Sequence, residues 1–215
     1  MEDIINKIRN VLDVPTQNEG LFFDDKTNSY KTYLDIEKQL LYGYYFDLRK
    51  KIGSDYYLLD ISLRILNKPI SNIANNIKCE AINNRKEIPI SLKKKLIRDI
   101  RNNETLTGLY RWYEIDMVFH KKITIWSCSI NNLEELNDYK SQLLTLFEKG
   151  QEWVRGANEW DFLIDWAFNH DNSLQALSIL KYLDRRDEFI LRKEEAIYEY
   201  EKKKYPIDEL RIISI

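Results

Sequence analysis

Only six glycines and four prolines interrupt this 215-residue chain. Tight turns draw heavily on those two residue types, so a β-sandwich or propeller built from many short strands is disfavoured and long helices become the default. Apolar residues at 44% beside charged ones at 32% allow a real core under a solvated surface and exclude wholesale disorder. No apolar run reaches the roughly 18–20 residues that cross a bilayer, and the Met1-Glu2-Asp3 start lacks the basic-then-apolar order of a secretory signal. The expectation is an all-α, mainly antiparallel bundle of about eight helices, with room for one small β element near 121–130 or at the C-terminus. It is read as a single helical domain over 1–215, with 1–103 and 104–215 as its alternative subdivision.

Ile4, Ile5, Ile8, Val11 and Leu12 fall at helical spacing before Pro15, predicting a helix over 2–13. Asn18 to Asp25 is turn-forming, and Leu21, Phe22 and Phe23 predict an aromatic anchor tucked inward from that loop. Tyr33, Ile36, Leu40, Tyr44 and Leu48 recur every three or four residues, predicting a central helix over 29–51 with Gly43 at a close helix crossing. After Gly53, Leu58, Ile61, Ile65 and Leu66 predict the next helix, Pro69 opens another through Ile70, Ala74 and Ile77, and Pro89 with Ser91 opens a fourth. The stretch 104–130 suits helix and strand templates alike; 106–120 is taken as helix. Asn132 and Glu135 offer a cap for a helix that Gly150 closes. Trp160, Leu163, Ile164 and Ala167, then Ala176, Ile179, Leu180 and Leu183, describe a helical hairpin followed by a charged helix over 187–204.

Within that hairpin, Glu159-Trp160-Asp161-Phe162-Leu163-Ile164-Asp165-Trp166-Ala167, the turn at His170-Asp171-Asn172-Ser173 and the string Ala176-Leu177-Ser178-Ile179-Leu180 resemble the bacterial domain of unknown function 4274. The sequence departs from that family at Asp171, where proline is usual, and at Leu180, where an aromatic is common. The resemblance implies a small helical cytosolic bacterial protein and supplies no reaction.

Cys79 and Cys128 are the only cysteines and form no CxxC pair, which predicts free thiols and a cytoplasmic location. No cofactor is implied. The net charge of −2 is uneven: residues 53–103 hold ten Lys/Arg against five Asp/Glu, and residues 157–215 hold nine against thirteen. Asp161 and Asp165 at i and i+4, with His170 beyond, could bind a divalent ion or share proton transfer as a metal-assisted hydrolase; they also read as the wet face and cap of a helix. Lys93, Lys94, Lys95, Arg98 and Arg101 form a basic helix able to neutralise phosphates, the core of a nucleic-acid alternative spanning 78–101, although Glu87 and Asp99 interrupt it. Tyr30, Tyr45, Tyr56, Trp126 and Trp153 have no obvious burial and suit either a core rim or partner anchors. Phosphate loops, the GxSxG elbow and a Cys/His nucleophile arrangement are absent from the sequence. The expected function is therefore a non-enzymatic protein-binding module, most concretely an immunity protein occluding a bacterial toxin's active site. Its expected partner-binding residues are Glu159, Asp161, Asp165, Trp153 and Trp126.

Overall fold

The computed structural model describes residues 2–50, 57–103, 105–110, 127–130 and 140–215. The chain forms two compact units, one from Met1–Ile65 with Gly108–Gly156 and the other from Leu66–Thr107 with Ala157–Ile215. The described strands are β1 (Phe22–Asp24), β2 (Ser29–Asp35), β3 (Leu40–Lys50), β4 (Tyr57–Leu66), β5 (Thr105–Tyr110) and β6 (Ser127–Ile130). They make one sheet in the order β1-β2-β3-β4-β5, with β6 antiparallel to the Tyr57 end of β4. The fold is therefore α+β, and the all-α expectation is overturned.

The reason lies in the side chains of 29–46. Tyr30 and Thr32 on β2 face Tyr44 and Tyr42 on β3, and Tyr42, Tyr44 and Phe46 are all buried at a period of two. β-Branched and aromatic residues pack well on a pleated surface, and here that preference outweighs the coincident spacing of Tyr33, Ile36, Leu40 and Tyr44. Gly43 accordingly sits in β3 opposite Lys31, not at a helix crossing. β4 corrects the second expected helix in the same way, with Ile61, Leu63 and Ile65 buried and Ser62 and Arg64 half-buried between them. Strand β5 replaces the start of the helix expected over 106–120, whose remainder lies outside the described residues. Of the 121–130 stretch, where one small β element is expected, 127–130 form β6, a strand of this larger sheet, and the rest lies outside the described residues; near the C-terminus Asp208–Ile212 is helical.

In the first unit the sheet's aromatic face is covered by α1 (Glu2–Asn18) and α4 (Lys140–Gly156). Helix α1 buries Ile5, Ile8 and Leu12 and runs through Pro15 to Asn18, and the turn that follows it closes on Gly20 with a φ of 72°. Tyr30 donates its hydroxyl proton to Asp13 of α1. On α4, the Phe147 carbonyl accepts from the Tyr44 hydroxyl at 3.0 Å, and Gln151 accepts from Tyr42 at 3.3 Å. Gly150, expected to close a helix, lies within α4 where Tyr44 approaches; the Asn132 cap lies outside the described residues.

The second unit contains α2 (Lys68–Asn84), α3 (Ile90–Arg101), α5 (Trp160–Asn169), α6 (Ser173–Tyr182), α7 (Arg186–Lys203) and α8 (Asp208–Ile212). Asn67 caps α2 by accepting the Ile70 N–H at 2.9 Å, with Pro69 in the first turn, where its missing N–H costs nothing. Helix α6 is buried at every residue from Ser173 to Leu180 and touches α2, α5, α7 and α8. Helix α3 packs on α2, α2 on α6 and α6 on α7, a row α3-α2-α6-α7 whose last three helices are also touched by α8. No helix among the described residues is long and apolar enough to cross a membrane.

Candidate functional site

The face of β1-β2-β3 turned away from α1 and α4 carries Phe22, Asp24, Lys31, Tyr33, Leu41 and Tyr45, paired across strands as Phe22 with Lys31, Tyr33 with Leu41, and Ser29 with Tyr45. Phe22 is 73% exposed and Tyr33 56% exposed, beside a groove of about 680 Å³ that they line with Lys31 and Leu41. Water on two large aromatic rings is unfavourable by about 25 cal/mol per Å² of apolar area, so a partner that covers them gains binding energy. Phe23 turns the other way and meets the Tyr30 ring edge-on at 4.9 Å, fixing the strand that presents Phe22. The expected aromatic anchor of this loop is thus divided: Leu21 is buried, Phe23 half-buried and Phe22 exposed.

Polar groups fix the groove's rim. Asp24 is ion-paired with Lys31 and accepts from the Lys26 N–H at 2.9 Å and the Thr27 hydroxyl at 3.1 Å. The Lys31 bond is the main reason its carboxyl is held at about 2, below the ordinary 3.8. Because the folded-state value is depressed, this contribution to stability is complete above the ordinary value and is lost as pH falls from there through about 2. Lys31→Ala should move the Asp24 titration back toward the ordinary range, observable by NMR, and cost about 0.5 kcal/mol near neutral pH, a surface-pair magnitude. An unmoved Asp24 titration would show that the backbone and Thr27 bonds hold the carboxylate without Lys31.

The buried phenols are structural. Burial, reinforced by Asp13, pushes the Tyr30 phenol well above its usual range, and burial does the same to Tyr44, whose hydroxyl accepts from Gln151 at 3.3 Å while donating to Phe147. Tyr45 is half-buried under the Arg64 guanidinium, 4.5 Å from the ring centre, and Tyr56 lies outside the described residues.

The residues singled out from sequence are distributed differently. Asp161 and Asp165 are exposed on α5, yet Asp161 is ion-paired with Arg185 and Asp165 with Arg192, so the acidic face is answered within its own unit. Glu159 is exposed at the α5 N-cap. His170 stacks on Trp166 with ring centres 3.9 Å apart, its Nδ1 2.7 Å from the Trp166 carbonyl, and Asp171 pairs with Lys203 at 2.6 Å. Those side chains do not converge, and among the described residues no group of three His, Cys, Asp or Glu side chains could hold a metal ion. Trp153 is half-buried on α4 in the other unit, and Trp126 lies outside the described residues. On α3, Lys93 donates to the Asn83 carbonyl at 2.8 Å and Arg98 lies 3.5 Å from Asp99, while Lys94, Lys95 and Arg101 are exposed. Sequence reasoning missed Phe22, Tyr33 and Leu41 as a surface because it placed Tyr33 in a helical core; the two-residue alternation around Tyr30, Thr32, Tyr42 and Tyr44 was the available signal. Compared with protein-family models, curated proteins and solved structures, the chain matches none.

Proposed function

We propose that this chain is a non-enzymatic protein-binding module whose open sheet face receives an extended segment of a partner protein. The observation that carries this reading is the pair of exposed rings, Phe22 and Tyr33, flanking a groove beside β1, the terminal strand of the sheet. An extended segment can add to such an edge while placing alternate side chains in the groove. Asp24, Asp25, Lys26 and Lys31 give the rim both signs of charge, which suits a polypeptide better than a polyanion. In its most concrete form the partner is a bacterial toxin occluded by this module. The pairing of Asp161 and Asp165 with arginines supports moving the docking surface from α5 to the sheet.

The test is co-expression with the products of adjacent genes, comparing the native chain with Phe22→Ser/Tyr33→Ser. Both side chains are exposed, so the variant should stay within about 1 kcal/mol of native stability. It should bind a captured partner at least about tenfold more weakly, as loss of aromatic anchors does. Unchanged affinity, or loss of binding only on reversing Asp161 and Asp165, would overturn the sheet-face assignment.

A further inference from the structure

The two ends of the helical row in the second unit are chemically opposite. At one end, α3 buries none of its residues completely; Lys93, Leu96, Ile97 and Ile100 form its half-buried stripe. Its solvent side displays Lys94, Lys95, Arg98 and Arg101, with Ile90 74% and Leu92 45% exposed on the flanks. At the other end, α7 turns Phe189 and Ala196 inward. Its opposite face, at the same helical spacing, carries Asp187, Leu191, Glu194 and Tyr198, with Ile190 and Glu195 beside them. Leu191 is 58% and Tyr198 66% exposed.

Each end therefore combines a few uncovered apolar side chains with one predominant sign of charge, and the signs are complementary. We propose that the chain self-associates head to tail, α3 of one copy docking on α7 of the next through Leu92 and Ile90 against Leu191 and Tyr198, with Lys94, Lys95 and Arg98 facing Asp187 and Glu194. A row that ends in a basic ridge and an acidic ridge offers one of each to every neighbour. Because the two patches lie on different surfaces of the same unit, the contact is heterologous: it propagates into rings or filaments and does not stop at a two-fold dimer. The apolar side chains supply burial, and the charges supply register and rate of encounter. The second copy is the favoured occupant because this chain itself carries the complementary surface; a polyanion would satisfy α3 alone and leave the apolar acidic face of α7 unexplained.

The experiment is sedimentation of the full-length chain across a concentration series at low and high salt. Assembly beyond the dimer, growing with concentration and weakened by salt, is expected. Lys94→Glu/Lys95→Glu/Arg98→Glu makes both ends acidic, and Asp187→Lys/Glu194→Lys makes both basic. Each variant alone should dissociate at least about tenfold more readily than the native chain, through like-charge repulsion, and an equimolar mixture should restore assembly. Recovery on mixing also shows that both variants remain folded. A native chain that stays monomeric at every concentration and salt, or variants that assemble like it, overturns the proposal. So does a monomeric chain that binds a single-stranded RNA oligonucleotide in a salt-sensitive way and loses that binding in Lys94→Glu/Lys95→Glu/Arg98→Glu, which would assign α3 to nucleic acid.

Discussion

Gly150→Val should destabilise the protein by about 3 kcal/mol, a cost in the range seen for overpacked cores. Position 150 lies inside α4, where valine has no left-handed backbone to resist; the obstacle is Tyr44. A Cβ at this position would meet Tyr44 Cε1 and Cζ at 2.9 Å, closer than carbon atoms approach without movement. The ring has little freedom to retreat. Tyr44 is 2% exposed, its ring packs against Phe147 at 5.2 Å, and its hydroxyl is held by the Phe147 carbonyl and by Gln151. Gly150→Ala should cost less, because alanine recovers about 1 kcal/mol of helix propensity against the same clash. Denaturant unfolding of native, Ala and Val forms should rank them in that order, and Tyr44→Leu should make the valine substitution markedly less costly through coupling between touching residues. A Gly150→Val protein as stable as the native chain would mean that α4 does not approach β3 as described.

The scarcity of glycine and proline misled because this chain makes its hairpin turns from other residues. Between β1 and β2, Asp24 accepts from Lys26 and Thr27 while Asn28 adopts a φ of 46°. Between β2 and β3, Asp35 accepts the Lys38 N–H at 2.9 Å and Gln39 adopts a φ of 54°. Asx-type turns and left-handed polar residues replace the glycines that the composition argument required. The helical unit was more legible. The stripe through Trp160, Leu163, Ile164 and Ala167 became α5, and Ala176, Ile179 and Leu180 became the core of α6, because long periodic segments with a single amphipathic template leave no competing strand pattern.

Candidate surfaces were less legible, for a related reason. The spacing of Asp161 and Asp165 puts both on the wet face of a helix, but their neutralisation depends on Arg185, at the cap of α7, and Arg192 within it, residues more than twenty positions further along the chain. Tyr33 could not be recognised as exposed while its segment was assigned to a helix, since a change of period from 3.6 to 2 reassigns every side chain to a new face. The basic character of α3 was visible from Lys93 to Arg101; its place at the end of a row, opposite the acidic ridge of α7, was not.

Leu177→Ala should be the most damaging single truncation in the helical unit, lowering stability by about 3–4 kcal/mol. Leu177 is fully buried at the middle of α6, and that helix is held by contacts with α2, α5, α7 and α8, so it has little freedom to shift and fill the space that truncation leaves. The adjacent Ser178 provides the contrast. It is equally buried, but its Oγ donates to the Leu174 carbonyl at 2.7 Å within the same helix, so removing it deletes a local bond and leaves no unmatched partner that the helix does not already satisfy. Ser178→Ala should therefore change stability by less than about 1 kcal/mol. Chemical denaturation of the two variants measures both values under one set of conditions. If Leu177→Ala proved as mild as Ser178→Ala, α6 could not be the helix on which the row α3-α2-α6-α7 is assembled, and the opposition of its basic and acidic ends would lose its structural basis.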